Sequence, residues 1–237
     1  MNEQTSVMKN MVNEVLKGIY WLGQSGFLIN TEKKTIVIDP YQSEYSGLSD
    51  IILITHPHFD HLSIEDIDKF LKPSTVIITE SQSAKKLSGN VQIIKPGDQV
   101  FIDNIIISAV RAYNINNDPH PKDNDWLGFI LDIDGVIIYH SGDTDVIPEM
   151  KTITADIVML PVSGTYLMDV ENAVKAVNII KPKIAIPMHF NPNLSHHYKI
   201  FPGVGTKEDA IKFANAIDNI CLPIILPNTP NNSNMNG

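Results

Sequence analysis

The chain has 237 residues, 43% of them hydrophobic, which is enough for one sizeable α/β core, and no apolar run approaches the ~18 residues that would span a bilayer. Its formal net charge is −9, from 18 Lys+Arg against 27 Asp+Glu, and Arg111 is its single arginine. That balance speaks against a dedicated nucleic-acid reader, which grips phosphates with clustered cations and arginine above all.

Residues 1–17 are weakly patterned and read as a helical or frayed lead-in without the apolar core of a signal peptide. With a single cysteine, Cys221, no internal disulfide is expected, and a cytoplasmic location follows as the default. Residues 19–30 and 34–39 read as two strands around Thr31-Glu32-Lys33, the second stopped by Pro40. A polar loop, 41–50, leads to Ile51-Ile52-Leu53-Ile54, a short β-branched run expected to be a buried strand. Ser63 and Asp66 form a capping pair, and Ile64, Ile67 and Leu71 share a helical face that ends before Pro73. Residues 76–79 read as a strand, followed by a short helix through 84–87. Strand-like runs follow at 91–94, 99–102, 105–110, 127–133 and 136–139, separated by turn residues such as Asp134-Gly135. The second half alternates strands at 156–160, 183–187 and 223–226 with helices at 169–180 and 206–217, the latter capped by Thr206 and Asp209. One domain over 1–227 is expected, with an Asn-rich, disordered tail at 228–237. Periodicity supports an α/β chain with much antiparallel sheet.

Three strand ends carry the chemistry. The first reads Thr55-His56-Pro57-His58-Phe59-Asp60-His61, the second Ser141-Gly142-Asp143, the third Pro187-Met188-His189. Imidazoles and carboxylates so placed suit zinc or a similar borderline ion. A two-metal hydrolase needs roughly six or seven such ligands, one bridging both ions, and a carboxylate such as Asp143 can bridge because it has two oxygens. Taken alone, Asp143 reads as a turn residue and His189 as a satisfied strand-end histidine. Beside the H-x-H-x-D-H motif both become candidate ligands.

These motifs resemble three signatures of the metallo-β-lactamase superfamily, and the chain is similar to its ascorbate-6-phosphate lactonase-like branch. The likeness extends over Trp21-Leu22-Gly23, Asp39-Pro40-Tyr41, Ala112-Tyr113-Asn114, His120-Pro121-Lys122, Gly164-Thr165-Tyr166 and Val204-Gly205-Thr206. It implies a four-layer αββα sandwich of two mixed sheets flanked by helices. It also implies that His56 and His58 hold a first metal, that Asp60, His61 and His189 hold a second, and that Asp143 bridges them. Asp60 would orient the attacking water, and metal-bound hydroxide would cleave an ester, lactone or phosphoester bond of a small anionic substrate. One or two divalent ions are expected, zinc first, with Mn²⁺, Fe²⁺ or Ni²⁺ as alternatives.

Two departures qualify the likeness. The superfamily usually supplies a third histidine to the first metal, and here His120, Asn114 or water is left for that place. Gln24 stands where relatives of the branch often carry histidine. Asn114, Gly164, Thr165, Tyr166 and His140 are candidates for the substrate pocket, His140 also reading as a core histidine. Arg111 could meet an anion, and His196 and His197 could cover the site. A phosphodiesterase or nuclease of the same fold and a non-catalytic metal-binding or sensor protein are the competing readings. The expected partner is a small molecule, with no membrane and no nucleic acid, and a homo-oligomer is left open.

Overall fold

A computed structural model of the chain describes residues 3–116, 118–191 and 203–228, and for 3–9 the backbone alone. Two mixed sheets face each other. The first has six strands in sequence order: β1 (Ile19–Gly23), β2 (Gly26–Asn30), β3 (Thr35–Ile38), β4 (Ile51–Ile54), β5 (Val76–Thr79) and β6 (Asn90–Ile93). Its first three strands pair antiparallel and the rest parallel. The second sheet is built from β7 (Gln99–Ile102), β8 (Ile105–Arg111), β9 (Leu127–Ile133), β10 (Val136–His140), β11 (Ile157–Pro161) and β12 (Ile184–Met188). β7 to β10 form an antiparallel meander, and β10, β11 and β12 run parallel. The small ladder of β13 (Phe190–Asn191) with β14 (Gly205–Thr206) lies apart from both sheets, and β15 (Leu222–Pro223) extends the second at its β12 edge.

The period-2 pattern explains how the first sheet is covered twice. Ile36, Ile38, Ile51 and Leu53 point into the large core shared with the second sheet. Their neighbours Val37, Ile52 and Ile54 point outward, against Ile67 and Phe70 at the helix α2 (Ile64–Asp68). β4, β11 and β12 are buried along their whole length, which is why they read as unbroken apolar runs. On the second sheet, α4 (Val170–Ile180) contributes Ala173, Ala176 and Val177 to the core, and α5 (Lys207–Ile217) contributes Ala210 and Phe213. The N-terminal helix α1 (Glu3–Lys17) buries Val12 in the same core.

Four local expectations change. The run 19–30 is a hairpin, broken where Gly23 and Gln24 take positive φ of 102° and 49°. α2 stops at Asp68, before Leu71. The next helix, α3, covers Ser81–Ala84, because the Glu80 side chain caps it by accepting from the amides of Gln82 and Ser83. The last strand is two residues long, with the Ile224 amide still donating to the Ala185 carbonyl of β12 at 3.0 Å. The Thr206–Asp209 capping box is reciprocal, as its spacing suggested. Residues 192–202, including His196 and His197, and 229–237 of the Asn-rich tail lie outside the described residues. Among the described residues no helix is long and apolar enough to cross a membrane.

Candidate metal centre

The notable side chains gather where parallel strands end. Open α/β sheets place ligands beyond those carboxyl ends. β3 and β4 pair in a register that sets Ile38 opposite Leu53 and so brings Asp39 beside Thr55. Asp39 is fully buried, and its Oδ1 accepts from the Thr55 amide at 2.8 Å. Its Oδ2 accepts from the Thr55 hydroxyl at 2.6 Å and from His61 Nδ1 at 2.8 Å. The hydroxyl proton of Thr55 is thereby spent, so Thr55 Oγ1 accepts from His56 Nδ1 at 3.0 Å. Both histidines, with Nδ1 engaged, turn Nε2 to the same space, the nitrogen left for a metal.

The second sheet answers from the other side. β10 ends in Ser141-Gly142-Asp143, where Gly142 has φ of 61°. A Cβ there would collide with the Leu127 carbonyl, so only glycine admits the turn that aims Asp143 inward. His140 braces this turn: its Nε2 donates to the Ser25 carbonyl at 2.9 Å, and its Nδ1 accepts from the Gly142 amide at 3.2 Å. Both ring nitrogens are consumed by backbone, which removes His140 from the pocket and makes it a support. β12 delivers His189, whose φ is 58° and whose amide donates to the Gln24 carbonyl at 2.9 Å.

His120 comes from the loop between β8 and β9 and folds back onto the site. Its Nδ1 donates to Asn114 Oδ1 at 2.7 Å, and its amide donates to the same oxygen at 3.1 Å. Asn114 Nδ2 is spent on the Tyr166 carbonyl at 2.8 Å. Both ends of the Asn114 carboxamide are therefore engaged, and it is the histidine that presents a free nitrogen.

One atom organises the result. Asp143 Oδ2 lies 3.1 Å from His61 Nε2, 3.3 Å from His189 Nε2, 3.4 Å from His120 Nε2 and 3.8 Å from His56 Nε2. His56 Nε2 is 3.0 Å from His58 Nδ1, and His189 Nε2 is 3.5 Å from Asp60 Oδ2. Three overlapping groups have ligand atoms within 4.8 Å of one another: His56, His58 and His120; His56, His61 and Asp143; Asp60, His61 and His189. His61 Nε2, His120 Nε2 and Asp143 Oδ1 are buried without any hydrogen-bond partner. Buried polar atoms left so are costly unless something binds them, and this donor set suits one or two divalent ions.

The charges differ between the two ends. Burial, then His61, holds the His56 imidazole well below 6.5, and burial with His120 holds His58 down to about 4. At the other end burial works against charge but loses. Asp143, Asp60 and Asp39 raise His61 well above 6.5, and Asp143 foremost pushes His189 to about 9. In turn His189 and His61 hold the buried Asp143 far below the ordinary carboxylate range, and His61 with His189 does the same for Asp60. His56 and His58 are thus held neutral, while His61 and His189 favour a proton that a bound ion would displace.

Around this centre, Phe59 turns out of the motif into solvent, 67% exposed, and meets Tyr41 edge-on at 5.8 Å. Gly164, Thr165 and Tyr166 are exposed beside Asn114. Arg111 is committed to Asp125 at 2.7 Å. Sequence reasoning missed the roles of Asp39 and Trp126. The buried Trp126 ring packs 5.0 Å from His56, 4.8 Å from His58 and 5.5 Å from His120.

Comparison with known proteins agrees with this geometry. The model of the Beta-lactamase superfamily domain matches residues 18–189. A metal-dependent hydrolase of Archaeoglobus fulgidus is 32% identical over 193 residues, covering 73% of this chain and 83% of its own. One from Thermoplasma acidophilum is 34% identical over 189 residues, with the same coverage of 73% and 83%. A crystal structure of a metal-dependent hydrolase from Parabacteroides distasonis superposes with a TM-score of 0.72 at 32% identity, over 88% of this chain and 91% of that one. A metallo hydrolase from Ignicoccus hospitalis shares the fold, with a TM-score of 0.72 at 22% identity, over 90% and 95% of the two chains. The motif match, the paired sheets and the imidazole–carboxylate cluster at their strand ends converge: the chain belongs to the metallo-β-lactamase superfamily.

Proposed function

We propose that the protein is a metal-dependent hydrolase that cleaves an ester, lactone or phosphoester bond of a small anionic substrate. His56, His58 and His120 hold a first ion, Asp60, His61 and His189 hold a second, and Asp143 lies between them. The observation that carries the reading is the position of Asp143 Oδ2, 3.1 to 3.8 Å from four imidazole nitrogens, with buried donor atoms around it left unpaired. Bound divalent ions lower the pKa of water from 15.7 to about 7 and polarise the bond to be cut. The rest falls to the chain. Asp60, depressed in pKa and partly open to solvent, stays a carboxylate and accepts a hydrogen bond from the attacking water. Asp39, Thr55 and Asn114 fix the faces of His61, His56 and His120. With Arg111 on Asp125 and Lys122 on Glu149, the charge of an anionic substrate is met by the ions. Zinc is the ion the reading names first, and the mixed nitrogen and oxygen set also accepts manganese, iron or nickel. A lone cysteine and the lack of a disulfide support a cytoplasmic setting.

The test is a hydrolysis screen of lactones, phosphodiesters and thioesters with each of these metals, run beside His58→Ala. Metal-dependent turnover that collapses in the variant is expected. Equal turnover in His58→Ala, or none with any metal, would overturn the reading.

A further inference from the structure

Gln24 has no part in the ligand set, yet its side chain reaches the second site. It sits in the hairpin turn after β1, 9% exposed, with φ of 49°. Its carbonyl accepts from Trp21 Nε1 at 3.0 Å and from the His189 amide at 2.9 Å, and Trp21 stacks on Phe190 at 4.5 Å. The turn is therefore fixed to the end of β12. From it the carboxamide Nε2 lies 3.1 Å from Asp60 Oδ2 and 3.2 Å from His189 Nε2. The nitrogen end must face Asp60, since the oxygen end would set two acceptors together. The other described partners of Asp60 are His61 and His189, which are themselves candidate ligands.

From this placement we infer that Gln24 is a positioning residue of the second metal site: its carboxamide N–H holds Asp60 in its ligating arrangement, and its backbone carbonyl holds the His189 amide. The inference rests on the two-site reading above. A carboxylate oxygen has two lone pairs, so the Gln24 N–H can occupy one while the other faces the site. A neutral amide does this without adding charge beside Asp60 and Asp143. The residue also ties the first sheet's hairpin to a ligand from each sheet, to Asp60 through its side chain and to His189 through its backbone. Outer partners of metal ligands usually carry a 10–100-fold effect on metal affinity when removed.

The experiment measures zinc binding by the metal-free protein in competition with a chromophoric chelator, resolving the two sites. Gln24→Leu keeps the length of the side chain and loses the hydrogen bonds. Gln24→Asn suits the positive φ but is one methylene short of Asp60. Both are first checked by thermal melting without metal. The expected result is an unchanged first site and a second site weakened about 10–100-fold in both variants. In the turnover assay, the metal concentration giving half-maximal rate rises. Folded variants that hold two zinc ions as tightly as the parent would overturn the role of Gln24. A parent that holds none would instead overturn the two-site reading.

Discussion

At the scale of single residues, the two tryptophans report on the two ends of the centre. Trp126 packs against all three histidines of the first trio, while Trp21 lies behind Gln24 and Phe190, near the second site. An open-shell ion quenches a nearby indole, so titration with Co²⁺ should quench the fluorescence of the protein in two phases. Trp126→Phe should lose the larger share of the phase belonging to His56, His58 and His120 and keep the other. A variant quenched like the parent would place the ion away from that trio. The residues of the H-x-H-x-D-H motif, Asp143 and His189 were legible because each breaks an apolar run with a ligating type. Asp39 was not. In sequence it is a strand-ending aspartate before a proline, and its meaning comes from the β3–β4 register, which joins it to Thr55, 16 residues away. The support of His120 was hidden for the same reason, since nothing local in 114–120 shows that Asn114 turns its oxygen back to the ring.

At the scale of elements, the motif loop is held by α2 through Asp66. This buried carboxylate accepts from the amides of Gln42 and Ser43, from the Ser63 hydroxyl and from Lys69 Nζ. It pins the 41–43 loop to the helix that follows His61. Helix α2 is only five residues long and has little intrinsic stability, so these bonds carry the junction. Burial opposes the charge of Asp66, but Lys69, Ser63 and Gln42 outweigh it and lower its pKa below 3.8. Asp66→Asn should therefore cost about 1.5–3 kcal/mol at neutral pH, the usual range for hydrogen bonds to a charged group. The sign follows from the depressed folded value: the gap is full above the unfolded 3.8 and is lost as pH falls below it and through the lower folded value. Urea melts of both proteins from neutral to acid pH would read it, and a gap constant across that range would refute the role. The capping pairs that mark these helices were readable, because a cap is local chemistry. The hairpin at 23–25 was readable too: Gly23-Gln24-Ser25-Gly26 is a run of turn residues between two apolar stretches, and the pairing of β1 with β2 confirms that turn.

At the scale of the whole molecule, the centre joins two sheets. The first supplies the motif of residues 56–61 from the end of β4, and the second supplies Asp143, His189 and the loop that carries His120. The 3.1 Å approach of His61 to Asp143 crosses between them. Ions bound there stabilise the paired sheets over any state in which they separate, because the ligands exist as a set only when both are in place. At an ion concentration a hundredfold above Kd, one such site adds about 2.7 kcal/mol. For a chain of this size that is a rise of roughly 5–10 °C in Tm per site. Chelation should lower the melting temperature by that amount for each ion removed, in a single transition, and returning zinc should restore it. Asp143→Asn should show a smaller zinc-dependent rise than the parent, because the position proposed to be shared by both sites is the one altered. Were the parent's melting temperature indifferent to chelation and to zinc, the sheets would be holding together through the apolar core alone, and the unpaired nitrogens of His61 and His120 would need another occupant.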